Sequence, residues 1–131
     1  MSLRNAVAFS VTVGCLPLAC GAITIDGVPL DAPRQMVATD GRTWDGVDRD
    51  AQGDTARTAV LASAAHDIPC PLATVAIVDV LDSDTTSYVT EGCGSRLTYA
   101  EREKPVILPS GAPRWRITYL LIGRVALGGT M

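Results

Sequence analysis

The spacing of apolar positions changes character along the chain, and each change marks an element. Ala6 to Gly14 runs without a charge. Ala22 to Leu30 alternates briefly and reads as an edge strand or a tether, and Asp40 to Asp54 is acidic and punctuated by Gly41, Gly46 and Gly53, the signature of a loop. From there the period becomes helical: Ala56, Val60, Ala64 and Ile68 share one face, with Asp54 or Thr55 as N-cap and His66 near the end. Pro69 and Pro71 forbid continuation. Leu72 to Leu81 is dense in Val and Ile and reads as a strand, Asp82 to Thr85 as a turn, and Thr86 to Glu91 as the returning strand. Gly92 and Gly94 favour a bulge at Cys93, after which Arg96 to Tyr99 resumes the strand. Glu101 to Pro113 is charged and then Pro/Gly-punctuated, with Pro105 to Pro109 as a short edge strand. Arg114 to Leu127 is the last strand, with Trp115, Ile117, Tyr119 and Leu121 on one face. The pattern predicts an α+β domain over residues 54–127, one helix packed on a small antiparallel β-sheet. An irregular acidic segment, residues 21–53, precedes it.

The uncharged run near the start has a different meaning. Met1 to Arg4 supplies a short segment with one positive charge, and the apolar stretch after it is far below the ~20 residues a membrane-spanning helix needs. That order is that of a signal peptide over residues 1–20. Cleavage has three readings. Val11-Thr12-Val13-Gly14-Cys15 resembles a lipobox, which makes Cys15 the lipidation site. Pro17-Leu18-Ala19-Cys20 is the alternative, with Pro17 where a branched apolar residue is usual, and ordinary cleavage after Ala22 is the third. In the first two the Cys sulfur becomes a thioether to diacylglycerol, and several acyl chains anchor the product to a membrane.

With the leader removed, the 131-residue chain leaves about 110 to 117 residues, one small domain. A hydrophobic fraction of 47% supports a core. The net charge of -3 and the 5% aromatic content argue against a nucleic-acid surface. Arg124 and Gly123 interrupt the last apolar run, so it is not a membrane span.

Four cysteines are present, Cys15, Cys20, Cys70 and Cys93. The last two lie inside the domain, 23 positions apart, with no Cys-x-x-Cys spacing. In an exported domain two such cysteines form a disulfide. A hairpin about residues 82–85 brings position 70 near position 93, and closing that loop is worth roughly 3 kcal/mol in the chain-entropy account. The rival reading is a metal or redox module using His66, Cys70 and Cys93. Three ligands fall short of a tetrahedral zinc site, and the prolines break the helix between His66 and Cys70. Asp48, Asp50 and Gly53 imitate a calcium loop, but its twelfth position is Ala59 where a bidentate Glu is needed.

Asp67-Ile68-Pro69-Cys70-Pro71 and Gly92-Cys93-Gly94-Ser95-Arg96-Leu97-Thr98-Tyr99 together resemble segments of small exported lipoprotein-like envelope proteins of the myxobacterial type. The likeness covers residues 56–100. It implies an exported domain with no assigned activity and carries no catalytic residue. That group often has a further Cys two positions after the Tyr, where this chain has Glu101.

No Gly-x-Ser-x-Gly, His-Glu-x-x-His or phosphate loop occurs. The single histidine, His66, adjoins Asp67 in sequence, and adjacent residues do not orient one another as a catalytic triad requires. The expectation is a non-enzymatic envelope protein, structural or binding, without a cofactor, attached to a membrane by its lipid anchor.

Overall fold

The computed structural model describes residues 23–128, so Cys15, Cys20 and the three cleavage readings lie outside the described residues. One helix, α1 (Gln52–Asp67), crosses one face of a six-stranded sheet. Its buried face is Ala56, Ala59, Val60, Ser63 and Ala64, continued by Ile68, which extends the i, i+4 stripe by its i+3 partners. Most of that stripe is alanine, so the helix lies close on the sheet. It starts two residues before the anticipated cap. Ala51 stands at the N-cap without a side-chain bond, and Asp48 Oδ1 instead accepts the Ala51 amide at 3.0 Å. Asp48 is thus a turn residue that launches the helix, and Asp54 falls within its first turn.

The sheet runs in the order β4 (Thr43–Val47), β3 (Arg34–Val37), β8 (Pro113–Ala126), β7 (Ser95–Ile107), β6 (Thr86–Gly92), β5 (Ala76–Asp82). Strands β5 to β8 form an antiparallel meander. The β3–β8 pair is parallel, Arg34 opposite Trp115 and Val37 opposite Thr118. A parallel pair needs a long crossover, and here it contains α1 and the rest of the meander. The sheet is therefore mixed, and larger than the small antiparallel one the sequence predicts. A separate two-stranded ribbon, β1 (Thr24–Ile25) and β2 (Val28–Pro29), precedes it.

Three further expectations are corrected. Within segment 21–53, read as irregular, β3 and β4 are strands of the main sheet. They are short and flanked by glycines and acids, so four alternating residues, Arg34 to Val37, are their whole signal. Leu72 to Thr74 is a 3-10 turn rather than strand, because Pro71 sets an extended entry and its carbonyl accepts both the amide and the hydroxyl of Thr74. The strand proper begins at Ala76. Glu101 to Ile107 is not a loop with a short strand after it but the second half of β7, paired with β8 as far as Ile107 opposite Pro113. Pro105 is tolerated there because β6 pairs with β7 only through Ala100, so beyond it one side of β7 is a free edge.

The core lies between α1 and the inner sheet face: Met36, Tyr88, Leu97, Tyr99, Ile117 and Tyr119 meet Ala59, Val60 and Ala64. A satellite of Val28, Ala32 and Trp115 seats the N-terminal ribbon on the start of β8, where the Trp115 indole N–H donates to the Pro29 carbonyl at 2.7 Å. Ser63, fully buried on the helix, accepts the Thr39 amide at 2.9 Å and so holds the β3–β4 turn.

Candidate functional site

Three groups of side chains stand out as candidate sites: the cysteine corner, the inner tyrosine cluster and the outer sheet face. The corner is built from both ends of the helix-to-strand connection. Gly92 and Ser95 are paired, so Cys93 and Gly94 are the central residues of a two-residue hairpin turn between β6 and β7, with φ of 47° and 77°. A tight turn thus replaces the anticipated bulge. Positive φ at both central positions is the geometry that matches strand twist, and Gly94 adopts it at no steric cost. The turn presents the exposed Cys93 toward the segment after α1, and Cys70 and Cys93 form a disulfide with Cα atoms 6.1 Å apart. Cys70 is buried beneath it. A Cβ on Gly92 would lie 3.1 Å from Val75 Cγ2 and 3.3 Å from the Thr74 carbonyl, so the absence of a side chain lets the two segments close.

Three residues before Cys70, Asp67 ends α1 and its Oδ2 accepts the Tyr99 phenol at 2.6 Å. Burial, and then this bond, push the Tyr99 hydroxyl well above the usual phenol range, so it stays a donor. The helix end is therefore fixed to the sheet twice, covalently and by a hydrogen bond. The pairing of the Asp67 and Tyr99 motifs was not anticipated, although both lie in the segments that carried the resemblance.

This corner does not gather a metal set. The two sulfurs are bonded to each other and His66 is exposed in the last helical turn. Thr74 Oγ1 lies 2.9 Å from Cys70 Sγ and 3.9 Å from Cys93 Sγ, but its proton goes to the Pro71 carbonyl at 2.8 Å. Asp48 and Asp50 are exposed, and no group of three or more metal-ligating side chains is found among the described residues.

The second cluster lies on the inner face beside the β5–β6 turn. Tyr88 and Tyr119 meet edge to face with ring centroids 6.0 Å apart, and Glu101 stands opposite Tyr119 across β7–β8. Burial, and then the carboxylates of Glu103 and Asp82, raise the Glu101 carboxyl above its ordinary range. Burial, and then Glu101, raise the Tyr119 phenol. Among the described residues its oxygen is one of two buried side-chain polar atoms without a hydrogen-bond partner, the other being Arg34 Nε, which lies 3.8 Å from Glu103 Oε2. An open depression lined by Asp84, Thr85, Thr86, Glu101, Arg102 and Glu103 adjoins the cluster. The hydroxyl of its Thr86 donates to Asp82 Oδ1 at 3.4 Å.

The outer face is the one the helix leaves uncovered. Burial along Arg114 to Tyr119 alternates, odd positions buried and even ones partly exposed, which puts Arg114, Arg116 and Thr118 on this face. The register places Lys104 directly opposite Arg116, Val106 opposite Arg114 and Arg102 opposite Thr118. Arg114 Nε bonds Asp45 Oδ1 at 2.9 Å and Arg116 Nε bonds the neutral Gln35 Oε1 at 2.8 Å. Lys104 and Arg102 have no ion pair among the described residues. Arg114 and Arg116 lie on the strand expected from the sequence, but Arg102 and Lys104 were not placed beside them, because Glu101 to Lys104 has no apolar period and its membership of a strand is set by β8 rather than by itself.

Comparison with protein-family models, curated proteins and solved structures returns no match.

Proposed function

We propose that this chain is an exported cell-envelope protein of the lipoprotein kind, acylated at Cys15 or, alternatively, Cys20, whose folded domain has a structural or binding role. The order Arg4, uncharged run, Gly14-Cys15 supports the export reading. The single observation that carries it furthest is the Cys70–Cys93 disulfide, because such bonds persist in oxidising compartments and are rare in a reducing cytosol. A disulfide that ties a helix end to a hairpin turn is what a small domain gains from leaving the cell.

Intact-mass measurement of the protein from a membrane fraction tests this. The expected mass is that of a chain starting at Cys15 or Cys20, heavier by its acyl groups and lighter by two hydrogens for the closed disulfide. A full-length chain with free thiols in the cytosolic fraction overturns the proposal.

A redox role for the same pair is favoured by one feature, the exposure of Cys93. The reduction potential separates the two readings. A structural bond lies below about -300 mV, and an exchanging one lies in the oxidoreductase range above it.

A further inference from the structure

We propose that the outer sheet face around Arg102, Lys104, Arg114 and Arg116 docks on the anionic headgroups of the membrane that carries the anchor; this choice of occupant rests on the lipoprotein reading. The chain as a whole is acidic, with 14 Asp and Glu against 11 Lys and Arg. Four of those basic residues nevertheless stand on β7 and β8 with Arg114, Lys104 and Arg116 on the open face; Asp45 is bonded to Arg114, and Arg102 borders the depression that it shares with Asp84, Glu101 and Glu103. Lys104 and Arg116 are directly opposed cross-strand partners, an arrangement that destabilises a sheet unless an anion stands over it. Lys104 is the only lysine in the sequence. Along β8 the outward positions after Arg116 are Thr118 and then Leu120, 52% exposed, so an apolar side chain follows the charged patch one position beyond Thr118. A flat face with cations beside exposed aliphatic side chains fits a lipid headgroup layer.

The spacing of the candidate lipidation cysteines from the folded domain argues for the same occupant. Trp115, which lies between Arg114 and Arg116 on β8, holds the β1–β2 ribbon through its indole bond to Pro29, and its amide donates to the carbonyl of Pro33, the residue before β3. The first described residue, Ile23, is bonded to that ribbon through its carbonyl and Leu30. Cys15 and Cys20 precede Ile23 by only eight and three residues. Even fully extended, eight residues reach less than about 30 Å. An acyl anchor would hold Ile23 within that distance of the bilayer, and the start of β8 is the part of the sheet to which the ribbon after Ile23 is bonded.

The test uses the full chain with Cys15→Ser and Cys20→Ser, so that no acyl group contributes, and vesicles of phosphatidylcholine with or without phosphatidylglycerol. Co-sedimentation is expected to be stronger on the phosphatidylglycerol vesicles and to weaken with added salt. Arg102→Glu with Lys104→Glu should reduce that partitioning by roughly 10-fold or more, and Arg42→Glu with Arg57→Glu, the same charge change away from this face, should leave it within a few-fold. Arg102→Gln with Lys104→Gln serves if the reversed pair fails to melt cooperatively. Equal losses from both pairs, or no preference for phosphatidylglycerol, overturn the proposal. So does adsorption to polyglutamate with none to vesicles, which would point to an acidic protein partner. Acylation is read separately by intact mass: an acylated protein whose vesicle binding ignores Lys104 sinks this inference alone, and patch-dependent binding by a chain that is never acylated sinks the anchor alone.

Discussion

Reducing the Cys70–Cys93 bond should cost this domain a large part of its stability. The bond closes a loop with a sequence separation of 23. In the chain-entropy account, opening a loop of that size lowers stability by about 3.5 kcal/mol at 25 °C, against a typical total of 5–15 kcal/mol. With the unfolding entropy usual for a domain of this length, the midpoint should fall by about 15 °C. The hairpin turn adds a second, separable effect. Cys93 holds φ of 47°, a conformation that costs an ordinary L-residue roughly 1 kcal/mol and glycine nothing. Both Cys93→Ala and Cys93→Gly lose the bond, but the glycine variant should recover about 1 kcal/mol of the loss. The assay is thermal unfolding followed by circular dichroism, with and without a phosphine reductant. The wild type should shift on reduction and both variants should not. A wild-type midpoint indifferent to reductant would refute the reasoning, since it would mean that helix and hairpin hold position without the covalent tie.

Gly92→Ala should cost about 1–2 kcal/mol by pressing a methyl group onto Val75 and the Thr74 carbonyl, read from the denaturant midpoint. Tyr99→Phe should cost a similar ~1–2 kcal/mol by leaving Asp67 without its donor, and combining it with Asp67→Asn should cost less than the sum of the two single changes. Glu101 gives a pH dependence. Its carboxyl is raised in the folded protein, so the native state binds the proton more tightly than the unfolded chain. Its contribution to stability therefore falls as pH rises from the ordinary carboxylate range through the raised value. Glu101→Gln should raise the melting midpoint near neutral pH and leave it unchanged below the ordinary carboxylate range; a gain that persists in acid would assign the effect to packing instead.

Much of the inner face was legible in the sequence because one period reports one packed surface. The stripe Ala56, Val60, Ala64, Ile68 and the alternation Trp115, Ile117, Tyr119 each mark residues that are buried. Leu121 keeps the alternation but is 37% exposed, because β3 stops at Val37, opposite Thr118, and beyond it no strand flanks β8 on that side. The hairpin about residues 82–85 and the cysteine spacing likewise located the disulfide, although the tight turn at Cys93 and Gly94 was expected as a bulge. The missing features are those a strand acquires from its neighbour. Glu101 to Lys104 is charged throughout and looks like a loop, and only the 14-residue β8 beside it makes it strand. Beyond Ala100 that half of β7 is a free edge, and an edge tolerates the charges and Pro105 that an interior strand would reject; the same residues discourage another chain from adding to it. The register has one more consequence. Between Thr98 and Tyr99 it shifts, leaving Ile122 as an extra residue on β8, so outward positions on β8 are even-numbered before it and odd-numbered after it. No single linear period could have assembled the outer face. Lys104 and Arg116 are twelve residues apart in sequence and become neighbours only through that pairing, so the outer face is written in the register between strands rather than in either strand.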